Sequence, residues 1–283
     1  MMMMRIITSD DELRPFFPNQ VVTVEGELSL YQKLLPWLEA AEMWVLNAFA
    51  GEEVMAKWAA DKDSAGWNDV AAVIACDALL RALPGLDLVL TPNGLGIVNN
   101  QNVVPASPAR VERLLNNLRI QRDMRIDNVL DILCREEAWE QSPQRAWLAE
   151  SLVQRTSFVR SVMPDCMGAW EHFGEVRLQA MAIEKEMAER WVSEAVMRRL
   201  RLSLSFFSHA PAKGLECRLA NLLLAELQRR LKGNAPNEAL MSDVVEVLRD
   251  NSAEFPEWAE SPTAKLFAPP VFHNEKLHPG YFF

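Results

Sequence analysis

From Glu175 to Leu202 the chain contains neither glycine nor proline, and its apolar side chains return every three or four positions. Val176, Ala180, Ile183, Met187, Trp191 and Ala195 fall on one stripe, with Glu184, Glu186, Arg190, Arg198 and Arg199 mostly off it. That period gives an α-helix one apolar face, whereas a strand needs strict alternation. One continuous helix over this span is predicted. A helix of that length must lay its stripe against other helices, so the packing is expected to be mainly helical.

The rest of the chain supplies the partners. Ser9 followed by Glu12 has the capping-box pattern and predicts a short helix ending at Pro15 or Pro18. Residues Val21 to Val24 read as extended. A helical pattern begins at Leu28 and is restarted by Pro36, because proline is at ease only in a first turn. Leu35, Leu38, Ala41, Val45, Ala48 and Phe49 form its buried face, Gly51 ends it, and Glu52 to Ala60 make another helix. Asp69 to Leu83 is nearly apolar all round and is expected to be the central buried helix. Ser107-Pro108 and Ser142-Pro143 each offer an N-cap and an N1 proline, the first opening a helix that reaches toward Trp139. Further helices are expected from Lys213 to Leu231 and from Asn237 to Arg249.

Leu86 to Leu90 and Leu95 to Val98 flank Thr91-Pro-Asn-Gly94, which predicts a β-hairpin over about residues 86–98 with Pro92, Asn93 and Gly94 at its tip. An internal echo is also present. Leu30 to Pro36 and Phe158 to Pro164 share an apolar–polar rhythm, and each is followed by a Gly-Glu pair, Gly51-Glu52 and Gly174-Glu175. Duplication and two ordinary amphipathic helices both give such a pattern. The tail from Ser261 holds Pro262, Pro269, Pro270 and Pro279 beside Phe267, Phe272, Tyr281, Phe282 and Phe283. Its prolines oppose regular helix and its rings suit a surface contact, so an extended arm is expected, docked on a neighbour or on its own domain. The expected fold class is mainly α: a helical bundle with two helical halves, similar if the echo is a duplication, one β-hairpin and a C-terminal arm. The expected domains are residues 1–125 with the hairpin, 126–260, and the arm 261–283.

Chemistry is sparse. With 39 acidic and 29 basic residues the net charge is −10 and the pI near 5.0, which disfavours a phosphate-backbone binder. No apolar stretch is long enough for a bilayer span, and no membrane partner is expected. Cys76, Cys134, Cys166 and Cys217 are far apart and form no Cys-x-x-Cys; free thiols in a reducing compartment are expected. Glu171-His172 with Glu175 could begin a metal site, but the Glu-x-x-His pairs of a di-iron bundle are missing. Gly94-x-Gly96 lacks the third glycine of a dinucleotide fingerprint, and neither a Walker lysine nor Gly-x-Ser-x-Gly occurs. No catalytic residue, metal or cofactor is expected. The basic runs Arg110 to Arg125 and Arg198 to Arg201 are interleaved with Glu112, Asp123 and Glu194, which favours helix faces or subunit contacts over phosphate binding. The tryptophans are expected as core and interface anchors.

Thr8 to Pro18, the Pro36 to Gly51 helix, and above all Leu88-Val-Leu-Thr-Pro-Asn-Gly-Leu-Gly-Ile-Val-Asn-Asn-Gln-Asn-Val-Val-Pro-Ala-Ser107 resemble an uncharacterised family encoded by phages and prophages of gut bacteria among virion structural genes. Asn274 to Phe283 resembles that family's polar, then aromatic, terminus. The resemblance covers about residues 5–125 and is weak from 126 to 260. It implies a neck or head–tail connector subunit, forming a ring, twelvefold if it follows the portal, with portal and tail proteins as partners. DNA would pass without specific binding, and the protein would reside in the virion after assembly in the host cytoplasm. The resemblance brings no catalytic residues. The protein-interface residues expected on this reading are Pro92, Asn93, Gly94, Phe267, Phe272, Tyr281, Phe282 and Phe283. Two other readings are a cytoplasmic helical adaptor for proteins and a metal-dependent enzyme built around Glu171 and His172.

Overall fold

The computed structural model describes residues 5–17, 28–86, 88–91, 94–97, 107–207 and 214–268. The described chain is mainly α-helical. The first helices are α1 (Asp10–Leu13), α2 (Leu30–Val45), α3 (Glu52–Ala60) and α4 (Ala65–Leu86). Two short strands follow, β1 (Leu88–Thr91) and β2 (Gly94–Ile97), paired antiparallel with Thr91 opposite Gly94. Then come α5 (Pro108–Leu133), α6 (Glu137–Glu140), α7 (Pro143–Leu148), α8 (Thr156–Val162), α9 (Ala169–Met187) and α10 (Glu194–Phe207). The series closes with α11 (Leu215–Leu231), α12 (Glu238–Asp250), α13 (Pro256–Ala259) and α14 (Pro262–Lys265). One continuous apolar core runs from Ile6 to Trp258. As its composition requires, α4 lies at the centre of the first half, with Val70 to Cys76 and Ala78 all buried.

Local physics explains most boundaries. Ser9 accepts from the Glu12 backbone N–H, while the Glu12 carboxylate reaches one residue further back, to the N–H of Thr8 at 2.7 Å. A full capping box forms instead at Ser29 and Gln32, where each side chain takes the other's backbone N–H. Pro36 does not restart α2; it sits inside an unbroken helix, at the cost of one backbone hydrogen bond. Helix α5 also runs unbroken through residues 125 and 126, so a domain boundary there would cut a helix.

The long helix expected from Glu175 to Leu202 is interrupted. Residues Ala188–Val192 form a π-helical turn, and Ser193 then takes φ 75° and ψ 149°, turning the chain into α10. The break shifts the buried phase: Val196 and Met197 are buried, whereas Ala195, expected on the stripe, is exposed. The same device appears earlier in the chain. Leu46–Ala50 is a π-helical turn, and Gly51 takes φ 80° and ψ 161° before α3. In both corners the positive-φ residue donates its N–H back to the first carbonyl of the π turn, Gly51 to Leu46 and Ser193 to Ala188, each at 2.9 Å.

What surrounds the two corners also matches. The Trp139 indole N–H donates to the Phe49 carbonyl at 2.7 Å, and the Trp258 indole N–H to the Trp191 carbonyl at 2.9 Å. Three residues beyond each tryptophan a serine, Ser142 or Ser261, caps a short helix whose first residue is proline. Side chains on those short helices reach the π turns, Gln144 to the Leu46 carbonyl and Thr263 to the Ala188 carbonyl, both at 3.4 Å. Nine residues ahead of each corner a buried glutamate, Glu42 or Glu184, accepts a backbone N–H of the segment leading into a short helix, from Ile6 or Leu152, at 2.9 Å. The tryptophans satisfy the Phe49 and Trp191 carbonyls, which a helix terminus leaves open, and the glutamates satisfy N–H groups of the incoming segments. The partner of Gly51 is therefore Ser193 and not Gly174, which lies inside α9.

The tail differs from expectation at its start. Ser261 caps α14, Pro262 occupies N1 where its missing N–H is harmless, and Thr263 is buried against the second π turn. Residues 261–268 thus belong to the body, with Phe267 half-buried against the core, and are not an extended arm.

Candidate functional site

Helix α5 is the seam between the halves. Its Asp123, buried, accepts from the Ala169 N–H at 2.6 Å, and its Asp127 accepts from the Thr156 and Ser157 N–H groups at 2.7 and 2.9 Å. Two carboxylates of α5 therefore seat the N-termini of α9 and α8, where the helix dipole favours negative charge. Burial pushes the Asp123 carboxyl above its ordinary value, against the charge of Arg122 and the Ala169 N–H, which pull the other way. Arg177 on α9 locks the connection between α7 and α8. It donates to the carbonyls of Trp147, Leu148 and Val153, stacks over the Trp147 ring at 4.3 Å, and burial lowers its pKa to about 10.

Arg122 lies at the centre of the seam. It donates to Asp77 of α4 at 3.1 Å, to Asp123 at 3.2 Å and to Glu171 of α9 at 2.7 Å. Asp77 also accepts from Arg81 at 2.6 Å. Beside these groups opens a pocket lined by Trp44, Asp77, Leu80, Arg81, Arg119, Arg122, Trp170 and Glu171. Its aromatic wall is continuous with a ring cluster across the halves: Trp44 and Trp170 meet edge to face at 5.5 Å, and Trp170 stacks on Phe173 at 5.1 Å. The Arg122 side chain is only 5% exposed, and its buried Nε has no hydrogen-bond partner. Burial pushes the Glu171 carboxyl up, yet the hydrogen bond and charge of Arg122 outweigh it and hold the group below its ordinary value.

Among the residues expected at an interface, Pro92, Asn93, Phe272, Tyr281, Phe282 and Phe283 lie outside the described residues. Gly94 opens β2, and Phe267 packs on its own body. Glu171 is taken up by Arg122 and Arg119, and among the described residues no group of three His, Cys, Asp or Glu side chains stands close enough to share a metal ion. Parts of the basic runs are framework: Arg125 pairs with Asp69, Arg199 with Glu216 and Glu257, and Arg201 with Glu184 and Glu194. The four cysteines are free, and burial pushes the Cys76 thiol up to about 12. Among the described residues no helix is long and apolar enough to cross a membrane.

Sequence reasoning did not find the pocket. Its signal was Asp77, the one charge in the apolar run from Val70 to Leu80, with Arg81 one turn on.

No curated protein and no solved structure matches the chain. A family model does match, over residues 26–148 and 224–268, and both matched segments close just after a Trp-x-x-Ser-Pro element. Together they cover more than half of the sequence, and the chain belongs to that family, DUF6712, a family of unknown function.

Proposed function

We propose that this chain is a structural assembly subunit, a phage head–tail connector that forms a ring between portal and tail, built from two versions of one helical unit. The observation that carries the assembly role is a set of large apolar side chains standing exposed on a helical body fixed by buried polar contacts. Met124 is 63% exposed, Leu178 71% and Leu266 69%, and Trp37, Met43, Ile120 and Met167 are exposed as well. Methionine and tryptophan are enriched where subunits meet, and apolar groups on a rigid body lose little conformational freedom on docking. The connector assignment draws on the resemblance of residues 88–107 to virion proteins, and on this reading Pro92 to Gly94 and the aromatic residues after Ala268 are the sequence segments that contact neighbours. The two-unit architecture is supported by the equal spacing of Glu42 to Gly51 and Glu184 to Ser193, and of Trp139 to Ser142 and Trp258 to Ser261.

Light scattering over a range of concentrations tests this reading, on the full chain and on a chain ending at Ala268. Cutting there spares α14, which is part of the fold. The full chain is expected to form one discrete large oligomer and the shortened chain a smaller species. A full chain that stays monomeric, alone and when mixed with a portal ring, would overturn the proposal.

A further inference from the structure

We infer that the pocket on the seam receives a carboxylate side chain from a second copy of this chain. The inference rests on the assembly reading above and names one contact through which assembly occurs. Three guanidinium groups, Arg81, Arg119 and Arg122, line the pocket with two carboxylates, Asp77 and Glu171, and the Asp123 charge behind Arg122 is shared with Arg160, so the site carries one net positive charge in a chain whose net charge is −10. Copies that each carry ten negative charges repel at long range. They meet most readily where a locally positive site on one accepts an acid of the other.

The lining also selects the kind of anion. A phosphate monoester, with nearly two negative charges near neutral pH, would crowd Asp77 and Glu171, whereas a carboxylate brings one charge to balance one. Trp44, Leu80 and Trp170 supply apolar walls for the methylene stem of a glutamate or aspartate and keep water from the contact. Arg122 is buried and lines the pocket, so its charge acts on an incoming oxygen with little screening by water. Because α4, α5 and α9 all contribute, a bound carboxylate bridges the two halves.

Sedimentation velocity of the full chain, as wild type and as Arg81→Gln/Arg119→Gln, tests the inference. Both arginines lie at the partly exposed rim, and circular dichroism verifies the fold of the variant. Association is expected to weaken about tenfold, which corresponds to two rim charge contacts. On the wild type, N-acetylglutamate α-amide is expected to dissociate the oligomer and to change tryptophan fluorescence, whereas the uncharged N-acetylglutamine α-amide does neither. A double variant that assembles like the wild type overturns the inference, and so does inorganic phosphate competing better than the carboxylate probe. A wild type that is monomeric at every concentration fails the assembly reading separately. In that case a saturable fluorescence change with the carboxylate probe, lost in the variant, reassigns the pocket to a free small carboxylate and overturns the second-copy occupant. No change removes the site altogether.

Discussion

The two π-turn corners have nearly the same backbone and different residues at the turning point. Gly51 holds φ 80° and ψ 161°, Ser193 φ 75° and ψ 149°. Glycine visits this region freely, while a residue with a Cβ is strained there by about 1–3 kcal/mol. Ser193 recovers part of that through its hydroxyl, which accepts from the Val196 N–H at 3.4 Å and caps α10, a contact that Gly51 lacks. The corner is therefore imposed from outside. The tryptophan, the Ser-Pro helix and the buried glutamate around it dictate the backbone, and the local residue accommodates.

That view is broken or sharpened first at the tryptophans. Trp139 and Trp258 are buried, and each ties its indole N–H to the π turn of its own half. Trp139→Ala and Trp258→Ala are each expected to lower stability by about 3–5 kcal/mol in denaturant unfolding. Similar losses support equivalent corners. A loss below about 1 kcal/mol at either site would mean that its corner holds its shape without the anchor. The two phenylalanine variants, which keep most of the packing, are expected to cost about 1 kcal/mol each for the hydrogen bond alone.

The glutamates ahead of the corners come next. Glu184 is fully buried and accepts from the Ser151 hydroxyl, the Leu152 N–H and Arg201 at 2.8 Å. Glu184→Gln keeps the shape and leaves Arg201 with Glu194 as its only carboxylate partner at the site. A loss of about 2–3 kcal/mol is expected. Combining this change with Arg201→Met tests whether the cost is the weakened pairing of the guanidinium: recovery of a large part of the loss would identify it so, and additive losses would not.

Sequence periodicity found most helices because burial of one face is a local pattern. The apolar run of α4, the α3 span and the proline-led starts at Pro108 and Pro143 all carry their cause within a few residues. The break at Ser193 does not. Nothing at positions 188–193 resembles a terminator, and the turn is held by residues more than sixty positions on, where Trp258 donates to the Trp191 carbonyl and Thr263 adds a second donor to the Ala188 carbonyl. For the same reason an internal echo was visible but misaligned. Matching on glycine paired Gly51 with Gly174, whereas the legible signal was Trp139-Glu-Gln-Ser-Pro143 against Trp258-Ala-Glu-Ser-Pro262. The seam pocket was out of reach of periodicity because Trp44, Asp77, Arg122 and Glu171 converge from four helices.

Exchanging the corner residues is the next smaller step. Gly51→Ala places a Cβ 3.4 Å from the flexible end of Gln144, so the cost is backbone strain rather than collision, and a loss of about 1–2 kcal/mol is expected. Ser193→Gly removes strain and gives up a weak cap, with a net gain of about 1 kcal/mol in denaturant unfolding. A loss at Ser193 of the size seen at Gly51 would show that the cap outweighs the strain and that the two corners are held differently.

Glu42 gives the smallest effect and the one with a pH signature. Like Glu184 it is buried, but its described hydrogen bonds are to the Ile6 and Ile7 N–H groups, with Arg5 acting only through its charge. Burial raises its pKa above the ordinary value near 4.5, and the two N–H donors only partly offset that. The folded chain then binds more protons at this site than the unfolded chain between the two pKa values, so stability falls as pH rises through that window and levels off above it. Glu42→Gln keeps an acceptor for both N–H groups and removes the ionisation. Its melting temperature is expected to match the wild type at the acid end, where Glu42 is protonated in both states, and to exceed it slightly by neutral pH, by a margin worth less than about 1 kcal/mol. A wild type that gains on the variant as pH rises would mean that the ionised carboxylate is the form this corner is built for, which would make Glu42 the counterpart of Glu184 in charge as well as in position.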